Sequence, residues 1–282
     1  MKNLCKLTLA AGVLLGAARL ADLIFFTSAE TGFVTVGGPL MRYIAFALAA
    51  VLALAAGAAV PAAASPRAAT AKTAPLWWAL GVAGLWQGLW MMARAVAGAD
   101  LPDAAHTTPL RSILTQAAGL LCGNLFLVWA VFCALLALRL RGRQALGGGL
   151  LLVGVAGSAA LYVYTILRFV TRPASWHRLL AAVDVLGVLS ALLLTAALLR
   201  ALFLPDSPGA AKGLVRMGLL AFVFGTCLAL PQGIWQVAVG REGLGSLGLA
   251  LFCGAAGALG AVSAWRVADR GKPPAGSPEE KA

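Results

Sequence analysis

Acidic side chains are nearly absent from this chain: Asp and Glu number ten in 282 residues, and charged residues of both signs make up only 11% of it. Soluble domains carry roughly 25% charge. With 61% of residues hydrophobic and a mean hydropathy of +0.90, a water-soluble fold is excluded, because it could not hide that much apolar surface. Histidine is scarcer still. The two present, His106 and His177, fall in breaks between apolar runs, whereas haem in a helical bundle takes its ligands from the helices. The five cysteines, Cys5, Cys122, Cys133, Cys227 and Cys253, form no Cys-x-x-Cys pair and sit inside or at the edge of apolar runs. They read as small buried hydrophobes, neither a disulfide framework nor a metal site. There is no His-Glu-x-x-His, no Gly-rich phosphate loop with its Lys and no nucleophile elbow. No catalytic constellation presents itself, no cofactor is expected, and the chain is not expected to be an enzyme. The 22 basic residues never form a run interleaved with polar loop residues, so the net charge of +12 reads as a topology signal and not as a nucleic-acid footprint.

What the chain has in abundance is long apolar runs. A spanning helix needs about 20 mostly apolar residues, and eight such runs occur, near 7–26, 40–60, 76–97, 113–138, 146–170, 179–204, 214–239 and 244–265. They lack the alternation of barrel strands, and helices satisfy their own backbone hydrogen bonds in lipid. The expected fold is therefore an all-α integral membrane protein with eight transmembrane helices. The first run has a rival reading as a cleavable signal peptide, with Lys2 and Lys6, an apolar core from Leu7 and small residues at Gly16-Ala17-Ala18. Its apolar stretch continues to Phe26, longer than a typical signal core of about 7–15 residues.

With eight spans, fourteen of the 22 basic residues fall on the side of the two termini. By the positive-inside rule both termini are then cytoplasmic, with Arg139-x-Arg141-x-Arg143 as the clearest anchor. Residues 61–75 read as a flexible cytoplasmic connector and 267–282 as a disordered cytoplasmic tail. The loop from about 98 to 112, carrying Asp100, Asp103, His106 and Arg111, is the longest outer connection. Asp100-x-x-Asp103-x-x-His106 has ligand-like residue types, but a solvated polar loop is the simpler reading.

Two polar words interrupt the apolar text. Gln87-Gly88-Leu89-Trp90 in the third run returns as Gln232-Gly233-Ile234-Trp235 in the seventh, and Leu121-Cys122-Gly123 in the fourth is answered by Phe252-Cys253-Gly254 in the eighth. One reading is a parallel four-plus-four duplication, residues 1–138 and 139–266, about an axis along the membrane normal. The other is coincidence in a chain of 33 Gly and 8 Trp, and Pro231 has no counterpart at Trp86.

Helical spacing places Gln87, Trp90, Met91 and Arg94 on one stripe, and Gln232, Trp235, Gln236 and Val239 on another. If the stripes face each other they line a cavity open to the outside, with the amides as ligand partners and Arg94 as an anion contact. Alternatively the amides bond neighbouring helices and the indoles belong to the interfacial belt. Arg19 and Asp22 are one turn apart, with Arg42 in the next run, and Arg168 stands across a short hairpin from Asp184. A charge costs about 2.5–3.5 kcal/mol at the bilayer centre, so these residues are expected either to pair or to form a basic outer-leaflet pocket. Asn124 either joins that pocket or bonds a neighbouring helix. Small residues at Gly254, Gly257 and Gly260, and at Gly154 and Ser158, allow close helix packing.

The stretch Arg19-x-x-Asp22, Glu30-Thr31-Gly32-Phe33 and Gly37-Gly38 resembles a pattern in uncharacterised bacterial multi-pass membrane proteins, in which a Thr-Gly-aromatic turn follows the first span. Those proteins usually carry Asp where this chain has Ser28. The resemblance covers about 25 residues and implies a bacterial cytoplasmic (inner) membrane and no particular activity. From the residues alone, Thr31-Gly32 is a good turn. Two functions remain open: a binding or transport component for an anionic amphiphile or small solute, and a non-catalytic scaffold or accessory subunit with a membrane partner protein.

Overall fold

In the computed structural model, which describes residues 2–61, 64, 66, 73–98, 109–142, 144–171 and 179–269, the chain is all-helical. The helices are α1 (Lys2–Phe25), α2 (Pro39–Ala58), α3 (Ala74–Val96), α4 (Pro109–Gly142), α5 (Gly148–Thr171), α6 (Leu179–Phe203), α7 (Ala210–Ala238) and α8 (Leu247–Asp269). Each corresponds to one apolar run, and Pro39 and the Ala74-Pro75 step open α2 and α3 where proline's missing amide costs nothing. The His106, His177, Asp100, Asp103, Arg143, Arg172 and Arg178 readings, most of the 61–75 connector and the tail beyond Asp269 lie outside the described residues.

Seven of the eight helices are long and apolar enough to cross a membrane, which fits a multi-pass membrane protein. The helix outside that set is α3, whose four tryptophans, glycines and Gln87 dilute its apolar character although its 23 residues give it the length. Many large apolar side chains point outward from the bundle, among them Leu14, Phe25, Met41, Trp78, Val82 and Leu152. Such a surface would be a liability in water and suits acyl chains.

Close glycine contacts set the packing. In the α3–α4 hairpin, a side chain at Gly88 would meet the Gly123 carbonyl at 2.9 Å, and Gly81 stands against Cys133. These contacts run the length of α3 antiparallel to α4. In the α7–α8 hairpin, a side chain at Gly218 would meet the Gly260 carbonyl at 2.6 Å, and side chains at Gly225 and Gly233 would meet Cys253 and Ala250. Helix α7 is central, touching α1 through Gly16, α2 through Gly57 and α6 through Gly187. Its middle, Phe222–Ala229, is wound as a π-helix that ends two residues before Pro231. A widened turn is one way a helix absorbs a residue that supplies no amide donor. All five cysteines are free and buried.

The two ends of the bundle differ. At one, Lys2 of α1 is paired with Asp269 of α8 at 2.5 Å, so the described ends of the chain lie side by side. At the other, a turn with Gly32 at φ +70° joins α1 to α2, and Arg241 grips it by donating to the carbonyls of Ala29 at 2.9 Å and Glu30 at 2.6 Å. The Thr31-Gly32 turn is thus formed as its composition suggests.

Candidate functional site

Toward the Arg241 end, six polar side chains from five helices form one connected chain. Arg42 donates through Nε to Asp22 Oδ1 at 2.9 Å, and Arg19 Nη1 donates to Asp22 Oδ2 at 2.6 Å. The other arm of Arg19 donates to Gln232 Oε1 at 2.9 Å. The amide of Gln232 then donates to Asp184 Oδ1 at 2.7 Å and to the Leu180 carbonyl at 2.8 Å, and Arg168 donates to Asp184 Oδ2 at 3.1 Å. Four helices are joined to α7 in this way, with charge alternating along the chain and one neutral amide at its centre. The side chain of Arg19 is 2% exposed. Both terminal nitrogens of this deeply buried guanidinium have an acceptor while its Nε has none, and removal of a partner from such a set costs more than the pair itself contributes.

Next to this chain lies a cavity of about 110 Å³ between α3, α5, α6, α7 and α8. From α3 it receives Gln87, Trp90, Met91 and Arg94, the stripe expected from helical spacing. From α7 it receives Ala229, Gly233 and Gln236, while Arg168, Asp184 and Glu242 supply the remaining charges. The structure therefore brings Gln87, Trp90, Arg94, Gln236, Arg168 and Asp184 to one place. It does not bring Gln232, Trp235, Arg19, Asp22 or Arg42 there. Gln232 is fully buried and its amide is consumed by three protein partners. Trp235 packs with Leu23 and Leu180, and Asp22 is shared by two arginines on the far side of Gln232. Asn124 is exposed and donates to the Leu120 carbonyl on its own helix at 2.8 Å.

The α7 stripe is turned by about one residue from the face that spacing alone suggests. The glycines cause this. Gly233 is pressed onto Ala250 of α8, so the face carrying 229, 233 and 236 looks into the cavity and the adjoining face, with Gln232 and Trp235, looks toward α1 and α6. On α3, Gly88 faces α4 and leaves Gln87 pointing inward.

Gln87 is the chemically exposed point of the site. It is 3% solvent-exposed, and its Oε1 has no hydrogen-bond partner. A buried, unsatisfied amide oxygen costs about 1–3 kcal/mol, and this one belongs to a residue on the cavity wall. The charged lining is balanced, with Arg94 and Arg168 against Asp184 and Glu242, rather than net basic as the sequence suggests, because Arg19 and Arg42 are spent on Asp22. Sequence reading missed Tyr164, Glu242 and Ser246 as lining residues. Tyr164 stands four residues before Arg168 on one helical face, a signal that was present. Glu242 and Ser246 sit in a short loop whose path only the fold reveals.

No family model, no curated protein and no solved structure matches this chain.

Proposed function

We propose that this protein is a non-catalytic binding or transport component for a small ligand bearing an anionic group and a hydrogen-bond donor, held in the cavity at the Arg241 end. The observation that carries this reading is the unpartnered Gln87 Oε1 on the wall of a charge-lined cavity. A ligand hydroxyl or ammonium satisfies Gln87, and its anionic group sits toward Arg94 and Arg168. The Arg42-to-Arg168 chain then serves as the rigid back wall that holds Asp184 in place.

In this reading α3 also spans the bilayer, giving eight crossings. The pairing of Lys2 with Asp269 and the antiparallel run of α3 along α4 support an even number. Both termini are then cytoplasmic in a bacterial inner membrane, and the cavity opens outward. The α3–α4 and α7–α8 hairpins, each closed by glycine contacts, are duplicated units in which one amide came to line the cavity and the other to brace its wall.

The second reading, an accessory subunit with a membrane partner protein, is favoured by the Arg168–Asp184 pair, which locks α5 to α6 as a scaffold needs. Mass spectrometry of the purified protein separates the two. A ligand-binding component carries an anionic small molecule in near-stoichiometric amount that is lost from Arg94→Gln. A ligand-free chain isolated with a stoichiometric partner subunit would establish the accessory role instead.

A further inference from the structure

The outward surface of α3 bears a groove of about 450 Å³ lined by Val82, Leu85, Trp86, Leu89, Trp90 and Ala93. It carries no charge and opens on the outside of the bundle, among exposed apolar side chains. Trp90 lines both this groove and the polar cavity, so its indole stands between them, beside Trp86, which meets α8 at Gly248. The Trp90 indole closes the seam between α3 and the start of α8 by lying on Gly245, where any side chain would collide with the ring. On its polar side the guanidinium of Arg94 stands 6.0 Å from the ring centre, within reach of a cation–π contact. The partition is thus apolar on one face, cationic on the other, and held by a contact with a residue that has no side chain.

Resting on the function proposed above, we infer that the ligand is an amphiphile taken laterally from the bilayer, with its anionic headgroup in the cavity and its acyl chain in the α3 groove. Trp90 is the door between them. Continuity of the two spaces through one side chain argues for a single molecule occupying both. A free solute needs the cavity alone and leaves the groove without a role.

The full-length chain in neutral maltoside detergent tests this by equilibrium binding of three probes. Oleoyl-lysophosphatidylglycerol has head and tail, glycerophosphoglycerol has the head alone, and monoolein has the tail without charge. The expected result is that the lysolipid binds roughly tenfold or more tightly than either fragment, since its tail, seated in the groove, holds the headgroup at high effective concentration beside the cavity. Leu89→Trp, which fills the groove on an exposed surface, weakens the lysolipid by about the same factor and leaves the head-only probe unchanged. Equal affinity for the lysolipid and glycerophosphoglycerol, or indifference of the lysolipid to Leu89→Trp, overturns the amphiphile while leaving the cavity as an anion site. Binding of neither anionic probe overturns both, as does monoolein binding as tightly as the lysolipid.

Discussion

Two glutamines with the same local sequence have opposite energetic roles. Gln232 uses its whole amide to join Arg19, Asp184 and Leu180, so Gln232→Leu leaves one arm of Arg19, one oxygen of Asp184 and the Leu180 carbonyl short of a partner in a buried place. The expected loss is on the order of 3 kcal/mol, read as a lowered midpoint of thermal unfolding in detergent. Gln87 has an unpartnered oxygen, so Gln87→Leu is expected to be neutral, or stabilising by up to about 1 kcal/mol, while abolishing ligand binding. The same assay reads both variants, and equal destabilisation of the two would contradict the assignment of their roles. The sequence located both residues but could not separate them. Spacing along a helix fixes which residues share a face, not which neighbour that face meets, and here small residues decided the neighbour.

At the level of the helix, glycines divide into those that set contacts and those that do not. A side chain at Gly218 in α7 would begin 2.6 Å from the Gly260 carbonyl, while Gly213 in the same helix has nothing within 4 Å of where a side chain would begin. Gly218→Ala is expected to cost about 1–3 kcal/mol by forcing α7 from α8. Gly213→Ala is expected to gain about 0.5–1 kcal/mol from helix propensity alone. Unfolding midpoints of the two variants check this, and a gain in both would mean that α7 and α8 are not packed through glycine. Helix positions were legible because each apolar run is bounded by Pro, Gly or charge. The π-wound middle of α7 was not. Pro231 announces a distortion, but whether a helix kinks or widens depends on the crowding at Gly16, Gly187 and Gly225 from three other helices.

For the whole molecule, the all-helical class and the ion pairs Arg19–Asp22 and Arg168–Asp184 could be read from the chain, since apolar length and the cost of a lone charge in lipid leave few alternatives. The convergence of α3, α5, α6, α7 and α8 on one space could not, because it depends on how five helices cross. That convergence is tested most directly by thiol labelling of single cysteine variants with a membrane-impermeant maleimide, applied to intact membranes from the side opposite the termini. The five native cysteines are buried and provide the background. Arg94→Cys and Gln236→Cys are expected to label, and Gln232→Cys, only four residues from position 236 but behind the cavity wall, is expected to stay unlabelled. Labelling at 232 with none at 94 and 236 would show that no water-filled site exists where these helices meet.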